Sequence, residues 1–104
     1  MSDNSPLFST LVESVVAGIP KGRLMTYGQL AAICGNPQAA RIVGGIAHFG
    51  DPNLPWQRVV NKKGGLASGY PGGRLGHKKA LEAEDVSVSK DLTVDLDKLL
   101  WTPT

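Results

Sequence analysis

Two helix starts in quick succession constrain this chain more than any other feature. Thr26-Tyr27-Gly28-Gln29 has the spacing of a reciprocal capping box: a hydroxyl accepts from the third helical N–H, and a glutamine reaches back to the cap. Leu30, Ala31, Ile33 and Cys34 continue a short helix, and Gly35 closes it. Asn36-Pro37 then opens another, an asparagine cap followed by proline at the first helical position. Ala39, Val43, Ile46 and Ala47 give this second helix one apolar face. Arg41 lies two residues from Ala39 and points away from that face, at roughly 100° of rotation per residue. Two short helices around a Gly-Asn turn, with an exposed arginine early in the second, predict a helix-turn-helix. An ordinary corner of two helices has the same local pattern.

The rest of the chain fits around that pair. With 104 residues there is room for one domain, 1–104, and one core. Ser5-Pro6 starts a helix whose apolar stripe is Leu7, Phe8, Leu11, Val12, Val15 and Val16; Gly18 and Pro20 end it. Gly44 and Gly45 should each cost about 1 kcal/mol relative to alanine inside a helix, so their succession points to a close approach by another backbone, of protein or of nucleic acid. Val59-Val60-Asn61 and Gly65-Leu66-Ala67 flank Lys62-Lys63-Gly64 and predict a hairpin wing with a basic tip. A glycine-rich loop, Ser68 to Gly73, leads to a last helix from about Arg74 to Glu84. Val86/Val88 and Leu92/Val94/Leu96 alternate as short strands, and Leu99, Leu100 and Trp101 dock on the core. The expected class is mainly α with a small β wing, a winged helix-turn-helix-like domain.

Charge is unevenly spread. From Pro20 to Lys79, nine cations (Lys21, Arg23, Arg41, Arg58, Lys62, Lys63, Arg74, Lys78, Lys79) face only Asp51, a net +8. The first nineteen residues carry −2, and the stretch from Ala80 onward −4. A basic centre between acidic ends suits a nucleic-acid face, because cations that displace counterions from phosphates supply most non-specific affinity. Lys62, Lys63, Lys78 and Lys79 are candidate phosphate contacts, and His48 and His77 read as surface or DNA-facing residues. The acidic stretch from Glu82 to Asp97 is a candidate docking surface for partners, with a solvated face as the simpler alternative. One cysteine allows no internal disulfide, and Cys34 with two distant histidines gives no metal-site spacing; no metal or cofactor is expected. Cys34 reads as a small core hydrophobe. No apolar run is long enough to span a membrane, and Met1 to Thr10 lacks the pattern of a signal peptide, so a cytoplasmic protein is expected, nucleoid-associated in a prokaryote.

Five segments in order carry a resemblance. Met25 to Ala31, Asn36 to Gly45, Pro55-Trp56-Gln57-Arg58-Val59-Val60, Gly69-Tyr70-Pro71-Gly72-Gly73, and the helix ending near Glu84 resemble the DNA-binding half of the O6-alkylguanine-DNA alkyltransferases. That family reads Pro-Cys-His-Arg-Val at the third segment, and its cysteine accepts the alkyl group. The reaction needs a thiolate activated by a histidine relayed to a glutamate. Trp56 offers an indole N–H with no basic lone pair, and Gln57 is no base near neutral pH. Glu84 or Asp85 is left as third member of the relay with nothing to orient. The resemblance therefore narrows to the alkyltransferase-like proteins, which lack the reactive cysteine, bind O6-alkylguanine in DNA and flag it for nucleotide excision repair.

Carried over, the resemblance implies a non-enzymatic monomer on double-stranded DNA. Tyr27 helps rotate the nucleotide outward and Arg41 fills the gap in the stack, with Thr26, Gln38, Ala39, Gly44 and Gly45 along the same DNA face. The lesion pocket is formed by Tyr27, Trp56, Arg58, Val59, Gly69, Tyr70, Pro71 and Gly72, with Arg58 bracing its strand. Pro71 stands where relatives often have serine; with no N–H to give the O6 atom, it implies tolerance of larger O6 groups. The loop from Asp51 to Trp56 is short, which implies a roomier pocket. Two other readings compete. A winged-helix regulator would read sequence in the major groove, yet after Gln38 and Arg41 the second helix offers mainly Ala, Ile, Val and Gly. An enzyme with an unfamiliar nucleophile would leave a covalent mark on protein or DNA.

Overall fold

The computed structural model describes residues 6–103. The first helix, α1 (Pro6–Ala17), buries Phe8, Val12 and Val16, three residues on one ridge of spacing four, and Ile19 follows them inward. Leu7 and Leu11, expected in the same stripe, are 59% and 42% exposed. They lie one residue before the inner ridge, on its flank, where no other element covers them. Gly18 and Ile19 close the helix on the carbonyls of Val15 and Val16 before Pro20. The expected Ser5 cap lies outside the described residues.

The sheet is small but organises the molecule. Strand β1 (Met25–Thr26) pairs in parallel with β2 (Val59–Val60), Met25 opposite Val59 and Thr26 opposite Val60. On the other side, Leu24 bonds to the C-terminal segment: its N–H donates to Leu99 O at 3.0 Å and its carbonyl accepts from Trp101 N at 2.8 Å. Successive strand residues point to opposite faces. Met25 and Val59 therefore join the core of α1, and Leu24 and Val60 join a second core with Leu66, Leu81, Val86 and Val94. Two apolar clusters, divided by two short strands, replace the single core expected from length.

Helix α2 (Tyr27–Ile33) starts on the predicted capping box: Thr26 Oγ1 accepts from Gln29 N at 3.0 Å, and Gln29 Oε1 accepts from Thr26 N at 3.2 Å. Gln29 Nε2 also donates to Trp101 O at 2.7 Å, so the C-terminal segment holds the start of α2. Thr26→Ala should lower stability by about 1 kcal/mol, read as a shifted urea midpoint with unchanged slope. Gly35 takes a φ of +97°, turning the chain as expected. Helix α3 then runs Ala40–Phe49, beginning three residues later than predicted. Asn36 builds a turn instead of a cap: its side chain accepts from Gln38 N at 3.3 Å and its carbonyl from Ala39 N at 3.0 Å.

The wing is a loop rather than a two-stranded hairpin. Asn61 and Gly64 form a tight turn (Gly64 N to Asn61 O, 2.8 Å), which leaves Lys62 and Lys63 exposed at its tip. Gly64 has a φ of +86° and lies against the Val94 carbonyl, leaving no room for a side chain. Asn61 N still bonds Gly65 O at 2.9 Å, but beyond it the chain pairs with the tail, Leu66 N to Leu92 O and Val94 N to Gly64 O. The valine-rich tail likewise forms no strands. Asp85 and Leu92 adopt left-handed backbone (φ 65° and 59°), which interrupts extended pairing. Asp95 caps a short helix through Lys98 N. Helix α4 (Gly73–Glu82) precedes that tail, and α5 (Leu96–Leu99) is the capped helix within it. Leu100 is left exposed, while Trp101 packs on the first core. Among the described residues no helix is long and apolar enough to cross a membrane, and no cluster could hold a metal ion.

Candidate nucleic-acid interface and cleft

A cleft of about 1180 Å³ opens between the α2–α3 pair, the Trp56 segment and the glycine-rich loop. Thr26, Tyr27, Ala40, Arg41 and Gly44 line its helical side. Arg41 is exposed on α3, as expected from its angular position. Beta carbons at Gly44 and Gly45 would meet nothing within 4 Å, so no protein backbone approaches them and the space beside both stays open. Gly45 borders a separate shallow groove with Ile46 and Phe49, and Arg41 borders both. Tyr27 is half-buried at the first turn of α2, and burial pushes its phenol above the ordinary tyrosine range.

The opposite wall begins at a 3₁₀ turn, Trp56–Arg58. Trp56 is only 7% exposed and belongs to the first core, yet it also lines the cleft. Its indole N–H donates to Asp51 O at 3.0 Å, the carbonyl that also accepts from Leu54 N, so the short loop is folded tightly against the ring. Gly69, Tyr70 and Pro71 complete this side. Gly72 and Gly73, at φ of +83° and +71°, turn the loop into α4, and Gly76 packs so closely on the Pro71 carbonyl that a side chain there would collide.

Glu84 settles the register that two adjacent carboxylates left open, and it is far from idle. It accepts from Gln57 Nε2 at 2.6 Å, from Arg58 Nε at 2.9 Å and from Gly22 N at 3.1 Å. Burial alone would raise this carboxyl; the bonds from Arg58, Gln57 and Gly22 outweigh it and hold the group below the usual range. Arg58 also donates to Ile19 O at 2.8 Å and does not face the cleft. It braces the turn from behind. The negative charge of Glu84, after burial, also helps raise the Tyr70 phenol.

Several expected site residues lie elsewhere. Val59 is fully buried in the core, and Ala39 is buried at the N-cap of α3, because each supplies the inward side of its element. Gly72 serves the turn into α4 rather than the wall; Gln38, expected on the DNA face and not in the pocket, is exposed in the Asn36 turn. His77 is neither exposed nor DNA-facing but completely buried between two backbone groups. Cys34 is half-buried against the first core, and burial pushes its thiol up, away from the nucleophilic thiolate. His48, read as surface or DNA-facing, is exposed on the cleft lining, whereas sequence reasoning missed Leu54, Gln57 and Asn61 there. Only Gln57 carried a signal, its place beside Trp56.

Residues 7–86 match the family described as 6-O-methylguanine DNA methyltransferase, DNA binding domain, and the chain belongs to that family. The DNA base-flipping protein of Escherichia coli (strain K12) is 40% identical over 96 residues, 90% of this chain and 74% of that one. Alkyltransferase-like protein 1 of Schizosaccharomyces pombe is 32% identical over 103 residues, 92% of this chain and 95% of its own length. A crystal structure of the S. pombe protein in complex with damaged DNA containing O6-carboxymethylguanine superposes with a TM-score of 0.84, at 32% identity over 92% of this chain and 95% of that one. The mainly helical architecture with its small two-stranded sheet is thus the alkyltransferase DNA-binding fold.

Proposed function

We propose that this protein is a non-enzymatic sensor of alkylated DNA. It lays the α2–α3 pair in the minor groove, turns an O6-alkylguanine out of the duplex into the cleft and directs the site to nucleotide excision repair. The observation that carries this is the cleft beside Trp56, open to the face that presents Tyr27, Arg41 and the bare backbone of Gly44. Tyr27, at the N-terminus of α2, would press on the target nucleotide as it rotates. Arg41 would fill the vacated space and hydrogen-bond the orphaned partner base. An extruded purine would lie between Trp56 and Tyr70, where stacking is worth about 1–3 kcal/mol per base. Lys62 lines the cleft and Lys63 is exposed beside it, positions suited to neutralising flanking phosphates. The protein acts as a monomer and needs no cofactor.

The absence of a cysteine from the cleft lining supports binding without alkyl transfer. The Trp56 nitrogen is a committed donor to Asp51 O, the Gln57 amide is bonded to Glu84, and Cys34 lies outside the lining. Binding without turnover is what remains. Matched duplexes containing guanine or O6-methylguanine, compared at fixed salt and followed by mass spectrometry, test this. Lesion-selective binding with unchanged masses is expected; equal affinities would sink the reading, and a gain of one methyl group would make the protein an enzyme. Arg41→Ala should weaken binding to the lesion duplex roughly 5- to 150-fold, equivalent to about 1–3 kcal/mol, with a smaller loss on undamaged DNA. Because Pro71 has no N–H, O6-benzyl and larger adducts should also bind; sharp rejection of everything beyond methyl would remove Pro71 from that role.

A further inference from the structure

We infer that His77 is a positioning residue of the cleft: its ring ties the Trp56–Arg58 turn to the glycine-rich loop and backs Tyr70, so that the two parts of this wall keep the spacing a base needs. The inference rests on the function proposed above, but its geometry stands independently.

The imidazole is completely buried on α4. Nδ1 lies 3.0 Å from Ala67 N, which can only donate, and Nε2 lies 2.8 Å from Gln57 O, which can only accept. These partners require one neutral tautomer, with a lone pair on Nδ1 and the proton on Nε2. Ala67 immediately precedes the loop that carries Gly69, Tyr70 and Pro71, and Gln57 is the residue after Trp56. The Tyr70 ring stacks on the imidazole, centroids 4.7 Å apart and planes within 16°. One side chain therefore fixes the edge of the loop, the backbone of the tryptophan turn and the rear face of the tyrosine.

Protonation would undo this arrangement. A second proton, on Nδ1, would meet the Ala67 N–H donor head on and place a charge in a sealed site. Burial pushes the imidazole below its ordinary range, although the bond to the Gln57 carbonyl works the other way. The ionisable groups on the elements packed around it are Tyr70 in the loop, Arg58 with its partner Glu84, and Arg74, Lys78, Lys79 and Glu82 on α4 itself. Among the described residues none forms an ion pair with the ring, so nothing is placed to compensate an imidazolium.

The test uses the full chain, wild type and His77→Gln, whose amide can still accept and donate but does not titrate. Affinity for matched O6-methylguanine and guanine duplexes is measured from about pH 8 to about pH 4.5, through the ordinary imidazole range and well below it, where burial places this ring. The wild-type preference for the lesion should fall by up to tenfold for each pH unit below the folded-state transition, while His77→Gln keeps a flat ratio. In the free wild-type protein, NMR signals of the Ala67 amide, the Tyr70 ring and the Trp56 indole should shift together through the same transition, and stay still in the variant. Fixed signals in wild type, or the same pH dependence in His77→Gln, would overturn the positioning role. Signals that move together while neither duplex is preferred at any pH would keep that role and refute the lesion-binding function instead.

Discussion

Replacing Trp56 with alanine is expected to lower the unfolding free energy by about 3–5 kcal/mol and to abolish the preference for O6-methylguanine. Both effects have one cause. The indole is 7% exposed within the core of α1, α2 and α3, and it also lines the cleft. Its removal leaves a cavity and takes away one stacking surface. Trp56→Phe separates the two contributions, since it retains an aromatic face and most of the bulk while losing the donor to Asp51 O. Because Leu54 N still bonds that carbonyl, the phenylalanine variant should lose only about 1–2 kcal/mol and remain lesion-selective. Thermal unfolding, at roughly 4–8 °C per kcal/mol for a domain of this size, with duplex binding on the same samples, checks both. An alanine variant as stable as wild type would show that the ring packs nothing.

Arg58→Ala should be nearly as damaging, at about 3 kcal/mol, although it touches no part of the cleft lining. The loss leaves the Glu84 carboxylate with only Gln57 and Gly22, and strips Ile19 O of its donor. The pH dependence gives the sharper result. In the native protein Glu84 is held below its ordinary range, so its contribution is present above the unfolded carboxyl range and fades as pH falls through the folded value. Without Arg58 the carboxyl loses its hydrogen bond and its neighbouring positive charge and rises relative to wild type, so the gap between wild type and variant should narrow as pH is lowered from about 7 to about 4. Urea denaturation at the two pH values measures it. A gap that stays constant would mean that Arg58 acts through packing alone.

The helix pair was legible because its signals are local and chemical: Thr26 and Gln29 can meet only if the backbone between them is helical. Asn36 was ambiguous for the same reason, since its side chain accepts equally well in a helix cap or in the turn it forms with Gln38. Long-range choices were not legible. Nothing near Val59 and Val60 says that they pair with Met25 and Thr26 rather than with the residues just past the Lys62–Lys63 turn. Glu84 and Asp85 are indistinguishable until the end of α4 turns one toward Gln57 and Arg58. The cleft was read in outline from Tyr27, Trp56, Tyr70 and Pro71. Its support from behind, by His77, was misread because a lone histidine on a polar helix gives no local sign of burial.

The strap from Leu99 to Trp101 makes the helix pair the product of a long-range contact. Gln29 reaches Trp101 O across a separation of 72 residues, and Leu24 is held on one side by backbone from the far end of the chain. The helices can form early in folding, but the start of α2 is locked in place only after a segment 72 residues further along docks beside it. The set of the helix pair therefore depends on docking from a segment outside it, not on the two helices alone.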